Sequence, residues 1–592
     1  MTGISPSWTG IAPWGLGTLR LHEAEEPTAL VHAALDRGCR LLDLADVYGD
    51  GTVGHAEELA VAALESWSGP REEVRLVTKG GLVRRAKGRW DTNGKGKHLR
   101  AAIEGSLERL GRIDLYLLHA VDHRTALRTS VRALAKAHKE GLVGAVGLCN
   151  VRVCDIEEAR RHVDVASVQI AMGPRDREPV DGGVVRYCAE HGIELLAHSP
   201  FGGWRSASRL GRDEALAPLA AELATDAWSL TTAWLASLGV TPLVGARRIE
   251  TLPSAVALSP GPRATLDAAL PAGVLRSPPP SPPSADPADG EVVLVMGIPG
   301  AGKSTLVTDF VERGYVRLNR DQRGGRLDDL LAPLDAALAD GQRRVVLDNT
   351  YPSRASRRRV VDVAWAHGLP TRCLWLRTST EDAMRNVAER MLDRHGRLLT
   401  PDEIAASRDP ADLGPSAHTR WHRLLEPPTV AEGHAAVVDV PFVRREPAEA
   451  GVAVAFDYRL LWGGKPSPGD DVQVVDGAAE TLARWAARGA LVPLVYLAEK
   501  DWSEEAVAER LARTQELVGE THLAPRICRH RGAGPAVCWC RKPMPGLVVA
   551  ALRDLGLPAS SVTVVVTGAT DATMARRLGC ATLTPEEFFA GP

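Results

Sequence analysis

The sequence predicts an α/β chain of three successive units: a (β/α)8 barrel, a P-loop nucleotide-binding sheet and a Rossmann-like parallel sheet. Three observations carry this. Short apolar strand runs alternate with amphipathic segments through residues 1–270, a glycine-rich turn at Gly297–Ser304 lies between a strand run and a helical run, and a further set of apolar runs starts near Gly451. Length agrees, because 592 residues at roughly 100–200 per domain exclude a single globular unit. Composition, at 45% hydrophobic and 24% charged residues, excludes wholesale disorder, collagen-like structure and coiled coil. A net charge of −3 gives no overall pull toward nucleic acid or anionic membrane, while a local basic groove remains compatible with it.

In order along the chain, the runs LLDLAD, VRLVTK, DLYLLHA, GAVGLCN, VASVQIA, IELLAHS and TPLVGA supply strands, and segments such as His98–Leu110 and Thr125–Glu140 supply helices, the alternation of a (β/α)8 TIM barrel over residues 1–270. Residues 271–290, PAGVLRSPPPSPPSADPADG, are rich in Pro and Ser and predict a stiff, extended linker. Residues 291–445 carry EVVLVMG, RRVVLDNT and RCLWLRT as buried strands, and residues 446–592 carry VAVAFDY, ALVPLVYLAE and VTVVVTGATD. No apolar run approaches the ~18 residues of a membrane span, and the first residues lack a signal-peptide pattern, so the expectation is a cytoplasmic chain with no membrane partner. Of nine cysteines, five (Cys39, Cys149, Cys154, Cys188, Cys373) sit among apolar neighbours, as buried reduced thiols do.

Barrel enzymes place chemistry at the C-terminal ends of strands. Four polar residues fall there: Asp43 and Tyr48 in RLLDLADVYGDG, Lys79 ending VRLVTK, and His119 ending DLYLLH. A Tyr hydroxyl with a pKa near 10 is a poor acid, but an ammonium beside it, held by a carboxylate, stabilises the phenolate and lowers that pKa. The order Asp, Tyr, Lys, His resembles that of the aldo-keto reductases over roughly residues 10–270. The resemblance implies that Tyr48 protonates a carbonyl oxygen as NADPH delivers hydride, that Lys79 and Asp43 tune Tyr48, and that His119 orients the carbonyl of an unknown substrate. It further implies that Asn150 and Gln169 hold the nicotinamide carboxamide and that Arg247 and Arg248 grip the adenosine 2′-phosphate, for which guanidinium geometry is suited. The chain departs from the family at Cys149 (usually Ser), His198 (usually an aromatic ring) and Ala255 (often Asn).

Gly297-Ile-Pro-Gly300-Ala-Gly302-Lys303-Ser304 fits G-x-x-x-x-G-K-[ST] in its confirming context of strand, then helix. The glycines let backbone N–H groups close around phosphates, Lys303 neutralises them, Ser304 reaches Mg²⁺, and Thr305 completes the ATP-binding helix start. Asp321, past a second strand in RLNRDQRGG, is a candidate proton acceptor for an attacking hydroxyl. Asp348-Asn349-Thr follows another strand, and a helix carrying Arg385, Arg390 and Arg394 could close over the phosphoryl group. With NRD and DNT-x-P as marks, residues 291–440 resemble the 5′-hydroxyl polynucleotide kinases. The resemblance implies that Asp321 is the general base, that Asp348 and Asn349 build the acceptor or metal side, that Arg390 touches the γ-phosphate, and that Arg323 meets an acceptor phosphate.

Cys528-Arg-His530 and Cys538-Trp-Cys540 place four soft ligands within thirteen positions, a spacing suited to a closed tetrahedral Zn²⁺ site of structural type. CWCRKPMPGL, with AFDY before it and TGATDATMARRLG after it, resembles the haloacid-dehalogenase (HAD) type phosphatases of the histidinol-phosphatase kind. That resemblance matches Asp457 to the nucleophile, Lys542 to the phosphate-binding lysine and Asp571 to a metal-binding acid. It also exposes losses, with Arg459, Ala498 and Thr567 at positions where the family carries an acid, a hydroxyl residue and a second acid. The expected protein is thus a nucleic-acid end-repair enzyme that phosphorylates 5′-hydroxyl RNA or DNA ends, fused to an NADPH-dependent carbonyl reductase and an inactive phosphatase module. The alternative is a small-molecule kinase sharing one metabolite with the reductase.

Overall fold

A computed structural model describes residues 14–85, 88–203, 206–276, 283, 287–448, 451–498, 500–519, 523–530 and 536–592. The chain divides into two compact units, Met1–Ser281 and Pro282–Pro592.

The first unit is a closed barrel of eight parallel strands: β1 (Gly15–Gly17), β2 (Leu41–Asp43), β3 (Arg75–Gly80), β4 (Leu115–Leu118), β5 (Val146–Cys149), β6 (Ser167–Ala171), β7 (Glu194–His198) and β8 (Val240–Val244). Each strand pairs with its sequence neighbour, and β1 closes the ring against β8 through Gly15 opposite Leu243. Seven strands match the apolar runs of the sequence. The eighth, β1, is three residues long with glycine at both ends, too short for any period to show. Leu41, Val77, Leu117, Leu196 and Leu243 fill the barrel interior, so the lumen is a packed core, with a buried Arg75–Glu194 pair at the N-terminal strand ends. A two-stranded hairpin, Leu82–Arg84 with Trp90–Thr92, stands beyond β3.

The segment expected to be an extended linker from residue 271 onward is corrected in its first part. Pro271–Arg276 is a 3₁₀ helix, with Ala272 buried and the Val274 carbonyl accepting a hydrogen bond from Arg186. The apolar side chains of PAGVLR find partners on the barrel, which outweighs the local extended preference of proline. Pro287–Asp289 is a second 3₁₀ turn. Residues 277–282 and 284–286 lie outside the described residues.

The second unit holds two parallel sheets. One contains β9 (Glu291–Met296), β10 (Val316–Leu318), β11 (Arg344–Asp348), β12 (Thr371–Leu376) and β13 (Ala436–Val440) in the order β10-β11-β9-β12-β13. The other contains β14 (Ala453–Asp457), β15 (Ala490–Tyr496), β16 (Arg526–Cys528), β17 (Val562–Val565) and β18 (Ala581–Leu583) in the order β16-β15-β14-β17-β18. In both, the strand that carries the key acidic or phosphate-binding turn is central, flanked on each side, so its C-terminal end opens at the switch in strand order. The sequence divides this region at residues 445/446, whereas the structure joins both sheets in one unit. The reason is apolar: Ala388 and Leu392 of the helix Thr380–His395 share a buried cluster with Val548, Ala551 and Leu552 of the helix Gly546–Leu555.

Candidate functional sites

The barrel brings together all four polar residues expected at its strand ends. Lys79 Nζ lies 2.7 Å from Asp43 Oδ1 and donates to the Tyr48 hydroxyl at 3.4 Å, and that hydroxyl is 3.5 Å from His119 Nε2. Lys79 is fully buried and Asp43 nearly so, and an ammonium so placed persists only because a carboxylate and a carbonyl, Leu44 O at 2.8 Å, satisfy it. Burial opposes the Lys79 charge, but Asp43 and Tyr48 together hold its pKa above the ordinary lysine value. Lys79 pulls the Tyr48 pKa down, as its adjacent charge leads one to expect, but it is not the largest influence on the phenol. Burial raises the Tyr48 phenol above its usual value, and the pull of Lys79 only offsets part of that. His119 is driven well below the usual imidazole value by burial and then by the Lys79 charge, so it is neutral at physiological pH.

One prediction follows from these directions. With Tyr48 a neutral phenol throughout, carbonyl reduction loses no proton donor between about pH 7 and 9. The reverse oxidation, which needs the phenolate, speeds up as pH rises. Paired pH–rate profiles check it, and a reduction rate falling tenfold across that window contradicts it.

The two amides expected near a nicotinamide are placed differently. Asn150 is exposed at the barrel mouth with φ 56°, its Oδ1 2.9 Å from His198 Nε2. Gln169 is 1% exposed and donates to Asp43 Oδ1 at 2.7 Å, so its amide N–H secures the carboxylate that holds Lys79. Arg247 and Arg248 are exposed just past β8, with Arg247 Nη1 3.3 Å from Glu23 Oε2.

In the second unit the P-loop lines a cavity of about 1180 Å³. Gly300 and Gly302 both have positive φ, and a Cβ at Gly300 would meet Val387 Cγ2 at 2.9 Å as well as the Ala383 carbonyl, so this turn accepts only glycine. Gly297 begins the loop against Ala301, and Lys303 Nζ donates to the Gly297 and Ile298 carbonyls at 3.1 and 3.0 Å. Burial lowers the Lys303 pKa to about 8, against the opposing pull of Asp348 and Asp321. Ser304 Oγ donates to Asp348 Oδ2 at 3.0 Å, so Asp348 stands beside the start of the P-loop helix, and Thr305 also lines the cavity.

Asp321 stands exposed on the cavity wall, paired with Arg320 at 3.0 Å. Asn349 is buried, and its Oδ1 accepts from the Arg320 N–H at 3.1 Å, fixing the turn that presents Asp321. Arg390 lines the cavity and donates to the Ala411 carbonyl at 2.9 Å, while burial and the nearby Arg394 depress its pKa. Two expectations are corrected. Arg323 ends the short helix Arg320–Arg323 outside the cavity, because the helical turn gives the inner face to Arg320, Asp321 and Gln322. Arg385 is 7% exposed and bound to Glu389 and Glu446, so it braces its helix and does not close over a phosphoryl group. Two arginines are instructive among the cavity residues that the sequence reading did not single out. Arg317 pairs with Asp348, and its signal was a lone Arg inside a short strand; Arg420 lies on an amphipathic helix that gave none.

Cys528, His530, Cys538 and Cys540 converge with all ligand atoms within 4.8 Å of one another. Their Sγ–Sγ separations run from 3.2 to 3.8 Å, and tetrahedral Zn–S bonds of about 2.3 Å set that spacing near 3.8 Å, so the residues fit zinc with no open position. Beside them, Asp457 is 2% exposed and held by Arg459 through Nε and Nη2 and by Lys542 Nζ at 2.8 Å. Lys542 also binds Asp571 Oδ1 at 2.6 Å, and Asp571 accepts from the Thr567 hydroxyl at 2.7 Å. Both carboxylates are thereby neutralised by side chains of the protein itself.

Residues 13–259 match the aldo/keto reductase family and residues 292–409 an AAA domain. Among solved structures, a thermostable aldo-keto reductase in complex with the inhibitor epalrestat is 26% identical over 44% of this chain and 97% of its own, at a TM-score of 0.38. An aldo-keto reductase from Klebsiella pneumoniae in complex with NADPH is 25% identical over 44% and 92%, at 0.37. The glycerol dehydrogenase of Gluconobacter oxydans is 22% identical over 47% and 95%, at 0.38. Among the described residues no helix is long and apolar enough to cross a membrane. The chain thus carries an aldo/keto reductase domain over residues 13–259 and a P-loop, kinase-like domain over residues 292–409.

Proposed function

We propose that the chain is an ATP-dependent kinase of 5′-hydroxyl nucleic-acid ends joined to an NADPH-dependent carbonyl reductase. The observation that carries the kinase reading is the cavity itself, where the P-loop Lys303 and the solvent-facing carboxylate Asp321 share one wall-to-wall space of about 1180 Å³. Small-molecule sites occupy roughly 300–1,000 Å³, so ATP leaves room here for part of a larger acceptor. Arg420 is exposed on the rim, and it and Arg320 supply guanidinium groups suited to a phosphate backbone. Asp321 accepts the proton of the attacking hydroxyl, and Lys303 with the loop N–H groups neutralises charge developing on the transferred phosphoryl. Ser304 and Asp348 fit Mg²⁺, a hydroxyl and a buried carboxylate 3.0 Å apart at the helix start, with Arg317 as the resident cation.

In the barrel, NADPH when bound supplies the hydride, and the exposed Asn150, Arg247 and Arg248 are the groups placed to hold it. Tyr48 donates the proton to the carbonyl oxygen, neutral His119 orients that oxygen, and Lys79 with Asp43 stabilises the phenolate left behind. The HAD-like reading of the second sheet stands on its Asp457 and Lys542 pair, and its cytoplasmic setting on reduced cysteines. Incubation with labelled ATP and either 5′-hydroxyl oligonucleotides or a panel of hydroxylated metabolites tests the acceptor class. Label in the metabolites alone favours a small-molecule kinase.

The same reading predicts no Mg²⁺-dependent hydrolysis by the zinc-bearing sheet, since Arg459 occupies the carboxylate that would bind the metal. Release of phosphate from a 3′-phosphorylated strand that disappears in Asp457→Asn would falsify this.

A further inference from the structure

The zinc-fitting cluster and the ATP cavity belong to one continuous piece of structure, and Trp539 joins them. This residue sits between two of the metal-ligating cysteines, is fully buried, and is anchored by the Gly546 N–H donating to its carbonyl at 2.9 Å. Its indole N–H donates 2.6 Å to the carbonyl of Leu413, which lines the ATP cavity. Its ring meets His418 edge-on at 5.6 Å, and His418 Nε2 is 2.9 Å from the carbonyl of Pro299 inside the P-loop.

The helix Thr380–His395 repeats the connection. Asn386 Nδ2 donates to the Gly300 carbonyl at 2.8 Å and Val387 abuts Gly300, and Arg390 lines the cavity. The same helix contributes Met384, Val387 and Met391 to a buried cluster with Trp539 and Met544. A helix clamped between a phosphate loop and a second sheet cannot shift without disturbing both, because close-packed cores move between discrete arrangements.

We propose that the Cys528, His530, Cys538 and Cys540 module is a positioning element for the kinase site, its bound zinc fixing Trp539 so that Trp539 holds the P-loop and the helix Thr380–His395 in their ATP-binding arrangement. The proposal rests on the kinase reading and adds to it a dependence of ATP affinity on a metal that touches neither ATP nor acceptor. Zinc supplies rigidity here, since four protein ligands leave no position for chemistry. Trp539 is a positioning residue and not a catalytic one.

The test is direct calorimetric binding of ATP with Mg²⁺, which needs no acceptor, on three preparations of the full chain. These are wild type, wild type stripped of metal by a chelator, and Trp539→Phe, which keeps an aromatic ring, though a smaller one, and removes the N–H donor. Circular dichroism and zinc content are read on each. The expected result is an ATP Kd raised about tenfold in both altered preparations, with Trp539→Phe retaining its zinc and its secondary structure. In turnover, Trp539→Phe raises the KM for ATP while kcat changes by less than about threefold, a split that simple loss of folded protein does not give. If Trp539→Phe does not fold, the stripped wild type decides. Unchanged ATP affinity in a folded altered preparation overturns the proposal alone, whereas a wild type that binds no ATP overturns the kinase reading with it.

Discussion

Replacing Lys303 by Ala is expected to lower ATP-dependent phosphorylation by about 10²–10³-fold, the scale of one lost electrostatic contact to transition-state charge. The residue is half-buried at the P-loop, where it donates to two loop carbonyls. Asp321→Ala is expected to cost about 10²–10⁴-fold through loss of the proton acceptor, with ATP affinity nearly unchanged because Asp321 is solvent-facing. The pair separates two roles: Lys303→Ala weakens ATP binding and turnover together, Asp321→Ala turnover alone. Steady-state kinetics beside calorimetric ATP titration check this, and an Asp321→Ala enzyme with wild-type turnover would remove the assigned base.

The second large effect lies in the barrel. Tyr48→Phe deletes the single hydroxyl placed against both Lys79 and His119, and carbonyl reduction is expected to fall by about 10²–10⁴-fold. NADPH affinity is expected to stay within about threefold, because the groups proposed to hold it, Asn150, Arg247 and Arg248, follow other strands. Lys79→Ala is a harsher change. It leaves Asp43 buried beside Gln169 without its cation, and breaking one partner of a buried pair costs about 3–5 kcal/mol, so lost stability accompanies lost activity. Stopped-flow reduction of an aldehyde panel with thermal melts distinguishes the two variants.

Much of this was legible in the sequence because the chemistry sits where strands end. Asp43, Tyr48, Lys79 and His119 each terminate or follow an apolar run, and eight parallel strands bring such ends to one face. The P-loop reads as clearly, since its glycines are demanded by local backbone geometry. What escaped depended on tertiary contacts. The position of Arg323 follows from which face of one helical turn points inward, a matter of a single residue of phase. Arg385 looked like its neighbours on the same helix until Glu446, distant in sequence, claimed it. The lowered Tyr48 pKa was reasoned from the adjacent charge alone, and loss of solvation at the barrel mouth outweighs that charge. Trp539 carried no signal beyond its place between two cysteines, because its partners Leu413 and His418 lie more than a hundred residues earlier.

The measurement that tests the central claim most directly is transfer of the labelled γ-phosphate of ATP to a single-stranded oligonucleotide bearing a 5′-hydroxyl, beside the same strand bearing a 5′-phosphate. The account predicts label at the 5′ end of the hydroxyl strand only, with wild-type protein and not with Asp321→Ala. An unlabelled hydroxyl strand in the presence of a protein that binds ATP, with label appearing instead in a small hydroxylated compound, would contradict it.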